Sequence, residues 1–312
     1  MKILFIDTTH PIIKQKFENA GWQCDYFSDI DYQKASVIIS NYEGIIIRSK
    51  IILDKNILTK AKRLKFIGRV GAGMESIDTQ AAQDLGIVCF NSPEGNRDAV
   101  GEHALGMLLS LFNNLFKANE EVKKGIWKRE ENRGIEIKGK TIGIIGYGNM
   151  GSSFAKKLSG FEATVIAYDK YKKDFSNQFV KEVSLEQLQS ESDIISLHVP
   201  LTKETKYMIN KHFIDKCSKP FYLINTARGP VVNTHDLISA LKSKKIAGAA
   251  LDVIEYEESS FEQLVQFPPE FHELTQFQNV LLTPHIAGWT VESKIKLAEI
   301  LADKILNYMN VR

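Results

Sequence analysis

The chain has 312 residues, 44% of them hydrophobic and 25% charged, a profile that excludes disordered and fibrous classes. Its 40 basic residues against 38 acidic ones leave a net charge of +2, so a strongly basic nucleic-acid binder is excluded too. Any cationic site must be local.

The length suits two domains of roughly 100–200 residues each. At this size folding buries about three quarters of the unfolded surface, so no disulfide or metal staple is needed. Cys24, Cys89 and Cys217 are odd in number and far apart, which points to a reducing compartment, taken as cytoplasmic, and to no zinc site. The N-terminal MKILFIDTTH lacks the h-region and cleavage site of a signal peptide and reads as a first buried strand. No stretch approaches the roughly 18 apolar residues of a membrane span.

Short β-branched runs alternate with longer amphipathic stretches, the pattern of an α/β fold with parallel sheets. In the first third, strands are expected at Ile3 to Ile6, Gly44 to Ile47, Phe66 to Val70 and Ile87 to Phe90. Helices are expected at Pro11 to Ala20 and Thr79 to Asp84. The apolar segment Ala99 to Phe116 predicts one long buried helix, followed by a polar loop, GIWKREENRG. A second βαβ series opens at Thr141. Its strands are expected at Thr164 to Tyr168, Ile194 to His198, Phe221 to Ile224, Gly248 to Leu251 and Val280 to Leu282. Residues 258–279 have no clear period and read as a long ordered loop, and a last helix is expected over Val291 to Met309. With no flexible linker in view, the two domains are expected to pack closely around a cleft.

The strongest local signal is TIGIIGYGNMG, residues 141–151. Gly146, Gly148 and Gly151 fit G-x-G-x-x-G between an apolar strand and a helix expected at Ser152 to Leu158. The first glycine makes the turn, the second admits a pyrophosphate, and the third lets helix and strand pack. The N–H groups and dipole at the helix start hold the anion. Such turns also occur as plain connectors, but 18 residues after Gly151 the next strand ends in Asp169, placed to bond ribose hydroxyls. Asp169 would repel a 2′-phosphate, favouring NAD over NADP, whereas Lys170, Lys172 and Lys173 pull the other way.

Hydride transfer at a 2-oxo acid needs a permanent cation for the carboxylate, an acid for the new alkoxide, and a group that orients that acid. Arginine, histidine and glutamate have those properties. Three expected strand ends present them: Arg228 in NTARG, Glu257 in LDVIEYE and His285 in TPHIAG. Singly, each also has an ordinary reading, as a solvated turn, a surface charge or a loop contact.

Taken together, GYGNMG, SLHVP, INTARG, ALDVIEYE and LTPHIAG resemble the D-isomer-specific 2-hydroxyacid dehydrogenases in order and spacing over nearly the whole chain. The resemblance implies two doubly wound parallel-sheet domains. A Rossmann NAD-binding domain, residues 98–285, would be inserted into a flavodoxin-like substrate domain, residues 1–97 and 286–312. It makes Arg228 the substrate-binding arginine, His285 the acid/base and Glu257 its partner. It assigns Asn149 and Met150 to the pyrophosphate, His198, Val199 and Pro200 to the adenosine side, and Thr226, Ala227, Asp252 and Gly288 to the nicotinamide. It also implies a homodimer formed through the cofactor domains.

Within the family the likeness is greatest to the 3-phosphoglycerate dehydrogenases. IGRVGAGMESID resembles their glycine-rich substrate loop, putting the N–H groups of Ala72 and Gly73 on the carboxylate. Arg48, Ser49 and Lys50 resemble a phosphate-holding segment, and Arg129 a cation lent by the neighbouring subunit. A dianionic phosphate needs such clustered cations; the same residues can also be read as surface basics near a strand end. Glu75 stands where aspartate is commoner, and Trp289, four residues past His285, stands where a smaller residue is usual. The chain ends at Arg312, so the serine-sensing domain of some members, and feedback through it, are not expected. A glyoxylate or hydroxypyruvate reductase is the nearest alternative. An NAD-sensing corepressor-like protein is a second, though the partner-binding tails of such proteins are not visible. His103 reads as a buried pair with Glu102, His10, His212, His235 and His272 show no metal spacing, and the runs at Lys123–Lys124 and Lys242–Lys245 read as solvated helix ends.

Overall fold

The β-branched runs become parallel strands because each is apolar on both sides, and a strand buried on both faces needs helices above and below it. The computed structural model describes residues 1–257 and 267–310. Within them the chain divides into one unit of residues 1–97 and 289–310 and another of 98–257 and 267–288.

The first unit has five strands: β1 (Lys2–Phe5), β2 (Gln23–Tyr26), β3 (Gly44–Ile47), β4 (Phe66–Arg69) and β5 (Val88–Asn91). All pair in parallel in the order β2-β1-β3-β4-β5, the flavodoxin-like arrangement. Successive residues of β1 point to opposite faces: Ile3 and Phe5 join one buried cluster with Ile46 and Phe66, and Leu4 joins the other with Ile45 and Ile67. The helices α1 (Pro11–Asn19), α2 (Tyr32–Ile38), α3 (Lys55–Leu58) and α4 (Thr79–Asp84) begin at matched caps. Asp31, Asp54 and Asp78 each accept a backbone N–H from the first turn of α2, α3 and α4.

The second unit opens with α5 (Arg97–Phe112) and α6 (Leu115–Lys123). The single helix expected to Phe116 is therefore two. Asn114 enters the left-handed region (φ 51°) between them and donates its amide to the Arg133 carbonyl. No residue of α6 is buried, and Leu115 and Phe116 lie exposed.

Next come β6 (Thr141–Ile145), α7 (Asn149–Lys157), β7 (Thr164–Tyr168), β8 (Lys181–Glu182), α8 (Leu185–Glu191) and β9 (Ile194–Leu197). They are followed by α9 (Lys211–Lys216), β10 (Phe221–Asn225), α10 (Thr234–Lys242), β11 (Ile246–Leu251), α11 (Pro269–Leu274) and β12 (Val280–Leu282). The sheet order, β12-β11-β10-β9-β6-β7-β8, is the doubly wound dinucleotide-binding order with one strand added. All its pairings are parallel, so the ends of the strands share one edge. The loop expected over 258–279 is corrected in its second part. Residues 258–266 lie outside the described residues, but Pro269 starts α11, where its fixed φ suits the first turn, and Leu274 is buried.

The last helix, α12 (Val291–Asn310), returns to the first unit and buries Ala298, Leu301, Ala302 and Ile305 against β1, β3 and β4 residues. The expected boundary after His285 moves to after Gly288. Ile286 and Ala287 stay with the second unit because their N–H groups donate to the Asp252 carboxylate.

Candidate active site

At the β6–α7 turn the three glycines do different things. Gly146 has φ 92°, and a Cβ there would come within 2.5 Å of the His198 carbonyl oxygen. A Cβ on Gly151 would lie 2.1 Å from the Gly146 carbonyl oxygen, so only glycine lets α7 settle on the turn. Gly148 faces open space, with nothing within 4 Å of a Cβ. It directly precedes α7, which starts at Asn149 and Met150 with no side-chain cap, so the first N–H groups of the helix await an acceptor.

Asp169 follows β7 and braces this turn. Its carboxylate accepts the N–H of Tyr147 at 2.8 Å and those of Tyr171 and Lys172 at 2.9 Å. Burial pushes its pKa up, but these bonds outweigh it, and the net shift is below the usual carboxylate range. About one of its roughly four lone-pair positions, on Oδ2, is left for a ribose. The neighbouring lysines are engaged: Lys170 pairs with Glu204 at 2.7 Å, Lys172 sits over the Tyr147 ring, and Lys173 reaches the Asp169 carbonyl.

His198 follows β9, at the point where the strand order reverses. It is half-buried, bonded through Nε2 to Ser196 at 2.9 Å, with a buried Nδ1 that has no partner among the described residues. Desolvation drives its pKa down to about 3, so the imidazole is neutral. Val199 and Pro200 continue from it along the same edge, and the buried Thr226 hydroxyl, after β10, likewise has no partner among the described residues.

The loop after β10 carries Ala227 and Arg228. Asn225, wholly buried, accepts the Ala227 N–H and donates to the Arg228 carbonyl, both at 3.0 Å, and so fixes the loop from below. Arg228 Nη1 donates to the Ala227 carbonyl at 2.6 Å. A Cβ on Gly229 would meet the Ile254 carbonyl oxygen at 1.9 Å, so this loop packs directly on the one after β11. There, Ile254 donates its N–H to Glu257 Oε1, and Glu257 Oε2 meets His285 Nδ1, both at 2.7 Å. Arg228, Glu257 and His285 thus follow three adjacent strands, and contacts run through Gly229, Ile254 and Glu257 to His285.

His285 itself has φ 54°, a strained conformation for a non-glycine residue. Its N–H donates to the Asp252 and Thr283 carbonyls at 2.8 and 3.0 Å. The buried Asp252 carboxylate takes the Thr283 hydroxyl at 2.6 Å and the N–H groups of Ile286 and Ala287 at 2.9 Å. Gly288 closes this segment.

Sequence reasoning missed His103. It pairs not with Glu102, which is exposed and bonds Lys157 at 2.9 Å, but with Thr283 Oγ1 at 3.2 Å and Asp252 Oδ1 at 3.4 Å. The i, i+1 spacing could have warned of this, since neighbours on a helix face different directions.

In the first unit, Arg48, Ser49 and Lys50 follow β3 and Asp7 follows β1, at that sheet's own reversal point. Asp7 accepts the Arg48 N–H at 2.5 Å, and the Arg48 guanidinium lies 4.6 Å from the centre of the Trp289 ring. The Lys50 ammonium donates to the Ser28 carbonyl. The N–H groups of Ala72 and Gly73 donate to nothing among the described residues, while the Ala72 carbonyl accepts from Asn91 at 2.6 Å. Arg129, of the second unit, is exposed two residues from the exposed Trp127.

Residues 105–287, more than half of the chain, match the model of the NAD binding domain of the D-isomer specific 2-hydroxyacid dehydrogenases. The chain belongs to that family. NAD is the cofactor its residues fit: an open approach at Gly148, uncapped N–H groups at α7, a carboxylate at Asp169 and an unpartnered Thr226 hydroxyl.

Among relatives of the family, a D-3-phosphoglycerate dehydrogenase of Archaeoglobus fulgidus is 39% identical over 271 residues, 86% of this chain and 50% of its own length. The chain therefore spans about half of that relative. A glyoxylate reductase of Thermofilum pendens is also 39% identical, over 81% of this chain and 74% of its own. The crystal structure of an Aquifex aeolicus D-lactate dehydrogenase, complexed with NAD and lactic acid, superposes with a TM-score of 0.83 at 30% identity. It covers 99% of this chain and 96% of that one. No helix among the described residues is long and apolar enough to cross a membrane.

Proposed function

We propose that the chain is an NAD-dependent dehydrogenase of D-2-hydroxy acids, with Arg228, Glu257 and His285 as its catalytic residues. The observation that carries this is the 2.7 Å bond from Glu257 to His285, on the sheet edge that also bears the glycine turn. Bound at the glycine turn, NAD would supply the hydride acceptor for C2 of the hydroxy acid. Glu257 accepts from Nδ1–H and so keeps the Nε2 lone pair for the substrate hydroxyl, whose proton His285 takes up. Arg228 grips the carboxylate and polarises C2–O. Asn225 and Asp252 hold the backbones of those two residues. Thr226, Ala227, Asp252 and Gly288 serve the nicotinamide end; Gly146, Gly148, Asn149, Met150 and Gly151 the pyrophosphate; Asp169, His198, Val199 and Pro200 the adenosine.

The substrate we favour is 3-phospho-D-glycerate, oxidised to 3-phosphohydroxypyruvate for serine synthesis in the cytoplasm. Its support is Arg48 at the β1/β3 reversal point, the undonated N–H groups of Ala72 and Gly73, and several phosphoglycerate dehydrogenases among the relatives. In this reading Ser49 and Lys50 complete the phosphate segment, and Arg129 serves the partner subunit of a homodimer. The exposed Leu115, Phe116, Val122, Ile126 and Trp127 of the cofactor unit favour that dimer.

A second reading, reduction of glyoxylate or hydroxypyruvate, is favoured by the Thermofilum relative and by a hydroxypyruvate reductase of Thermotoga maritima at 35% identity. Initial rates with NAD and 3-phospho-D-glycerate, and with NADH and glyoxylate or hydroxypyruvate, test the choice. A higher kcat/KM on the phosphorylated acid is expected; the reverse order would replace the first reading with the second.

A further inference from the structure

Trp289 is the departure from the family pattern that nothing above explains, and its surroundings give it a task. Two fixed points bring it to Arg48. On one side, Asp7 accepts the backbone N–H groups of Arg48 and Lys50 and pins the loop after β3. On the other, Thr290 and Ser293 exchange hydrogen bonds, N–H to hydroxyl in both directions at 2.9 and 3.0 Å, and close the start of α12 just behind Trp289. The indole is 67% exposed and still lies under the guanidinium, with 4.6 Å between Arg48 Cζ and the ring centre. Among the described residues the Arg48 guanidinium donates no hydrogen bond; the ring face restrains it, beside the attraction of the Asp7 carboxylate.

A guanidinium held over an aromatic ring is restrained by the ring face while its N–H fork stays free to donate. That fork matches two oxygens of an oxyanion in the same plane. We propose that Trp289 is a positioning residue that holds Arg48 ready for a second anionic group on the substrate, a phosphate monoester. It would thereby set the preference for phosphorylated over plain hydroxy acids. The inference rests on the phosphate reading of Arg48 given above. With Lys50 drawn to Ser28, Arg48 is the cation of the pair that remains oriented at this strand end.

The test compares kcat/KM for 3-phospho-D-glycerate and for D-glycerate, which differ only in the phosphate, in the full-length protein. Trp289→Leu is expected to lower the ratio of the two about two- to fivefold, through KM for the phosphorylated acid, and Trp289→Phe to restore most of it. Arg48→Ala should lower the ratio further, and adding Trp289→Leu to it should then change nothing more. If Arg48→Ala lowers the ratio and Trp289→Leu does not, the positioning role is wrong while the phosphate reading stands. If neither change moves the ratio, the phosphate reading itself fails and takes the inference with it.

Discussion

Asp252 holds His285 by the backbone on both sides: its carbonyl accepts the His285 N–H, and its carboxylate accepts the N–H groups of the next two residues. The left-handed turn at His285 is thus maintained by a buried acid rather than by a glycine. Asp252→Asn turns one amide N–H toward a backbone donor, whichever way it flips. The expected loss is about 1–3 kcal/mol of stability, read by urea denaturation, with a parallel fall in kcat.

The same group gives the stability an acid limb. Burial raises the Asp252 pKa, but the bonds from His103, Thr283, Ala287 and Ile286 outweigh it and the net shift is downward. A carboxylate with a lowered folded pKa contributes stability above its unfolded value, near 4, and loses it as pH falls through the folded one. His198 acts over a wider range. Its folded pKa of about 3 lies below an unfolded value near 6.5, so its contribution is complete above about pH 6.5 and is lost progressively down to about pH 3. Between about pH 6 and 4 the unfolding free energy of His198→Leu should fall less steeply than that of wild type, by about 1.4 kcal/mol per pH unit. Parallel slopes would show that the imidazole is protonated in place.

Two glycines of one turn should fail differently. At Gly148 a methyl group meets nothing, and its backbone is extended (φ −86°, ψ −151°). Gly148→Ala is expected to melt within about 2 °C of wild type, since surface changes rarely exceed 0.5 kcal/mol, while NAD binds at least about tenfold more weakly by calorimetry. Gly151→Ala drives a carbon into the Gly146 carbonyl and should lower the melting temperature by several degrees even without cofactor.

Glu257→Gln keeps the shape and reverses the chemistry. Ile254 N–H already claims one oxygen, so the amide oxygen goes there and the NH2 turns to His285 Nδ1. That forces the imidazole proton onto Nε2, the wrong tautomer for taking a proton from the hydroxy acid. A fall in kcat of about 10³-fold is expected, with NAD affinity little changed.

Much of this was legible in the residues because local chemistry dictated it. The Gly146–Gly148–Gly151 spacing announces its turn, and the apolar runs at Thr164–Tyr168 and Val280–Leu282 define their strands. What was illegible depended on distant partners. β2, written QCDY, is an edge strand and needs no continuous apolar run, and β8 is only two residues long. The break at Asn114 inside an apolar stretch, the partnership of His103 with Asp252, and the contact of Arg48 with the Trp289 ring are set by tertiary contacts that no period in the sequence records.

The account is tested most directly by the rate of NADH formation by His285→Ala, with NAD and a D-2-hydroxy acid both saturating. Loss of the group that takes the hydroxyl proton should lower kcat by about 10³-fold or more. Turnover within about threefold of wild type would contradict the account, because the proton would then have another acceptor.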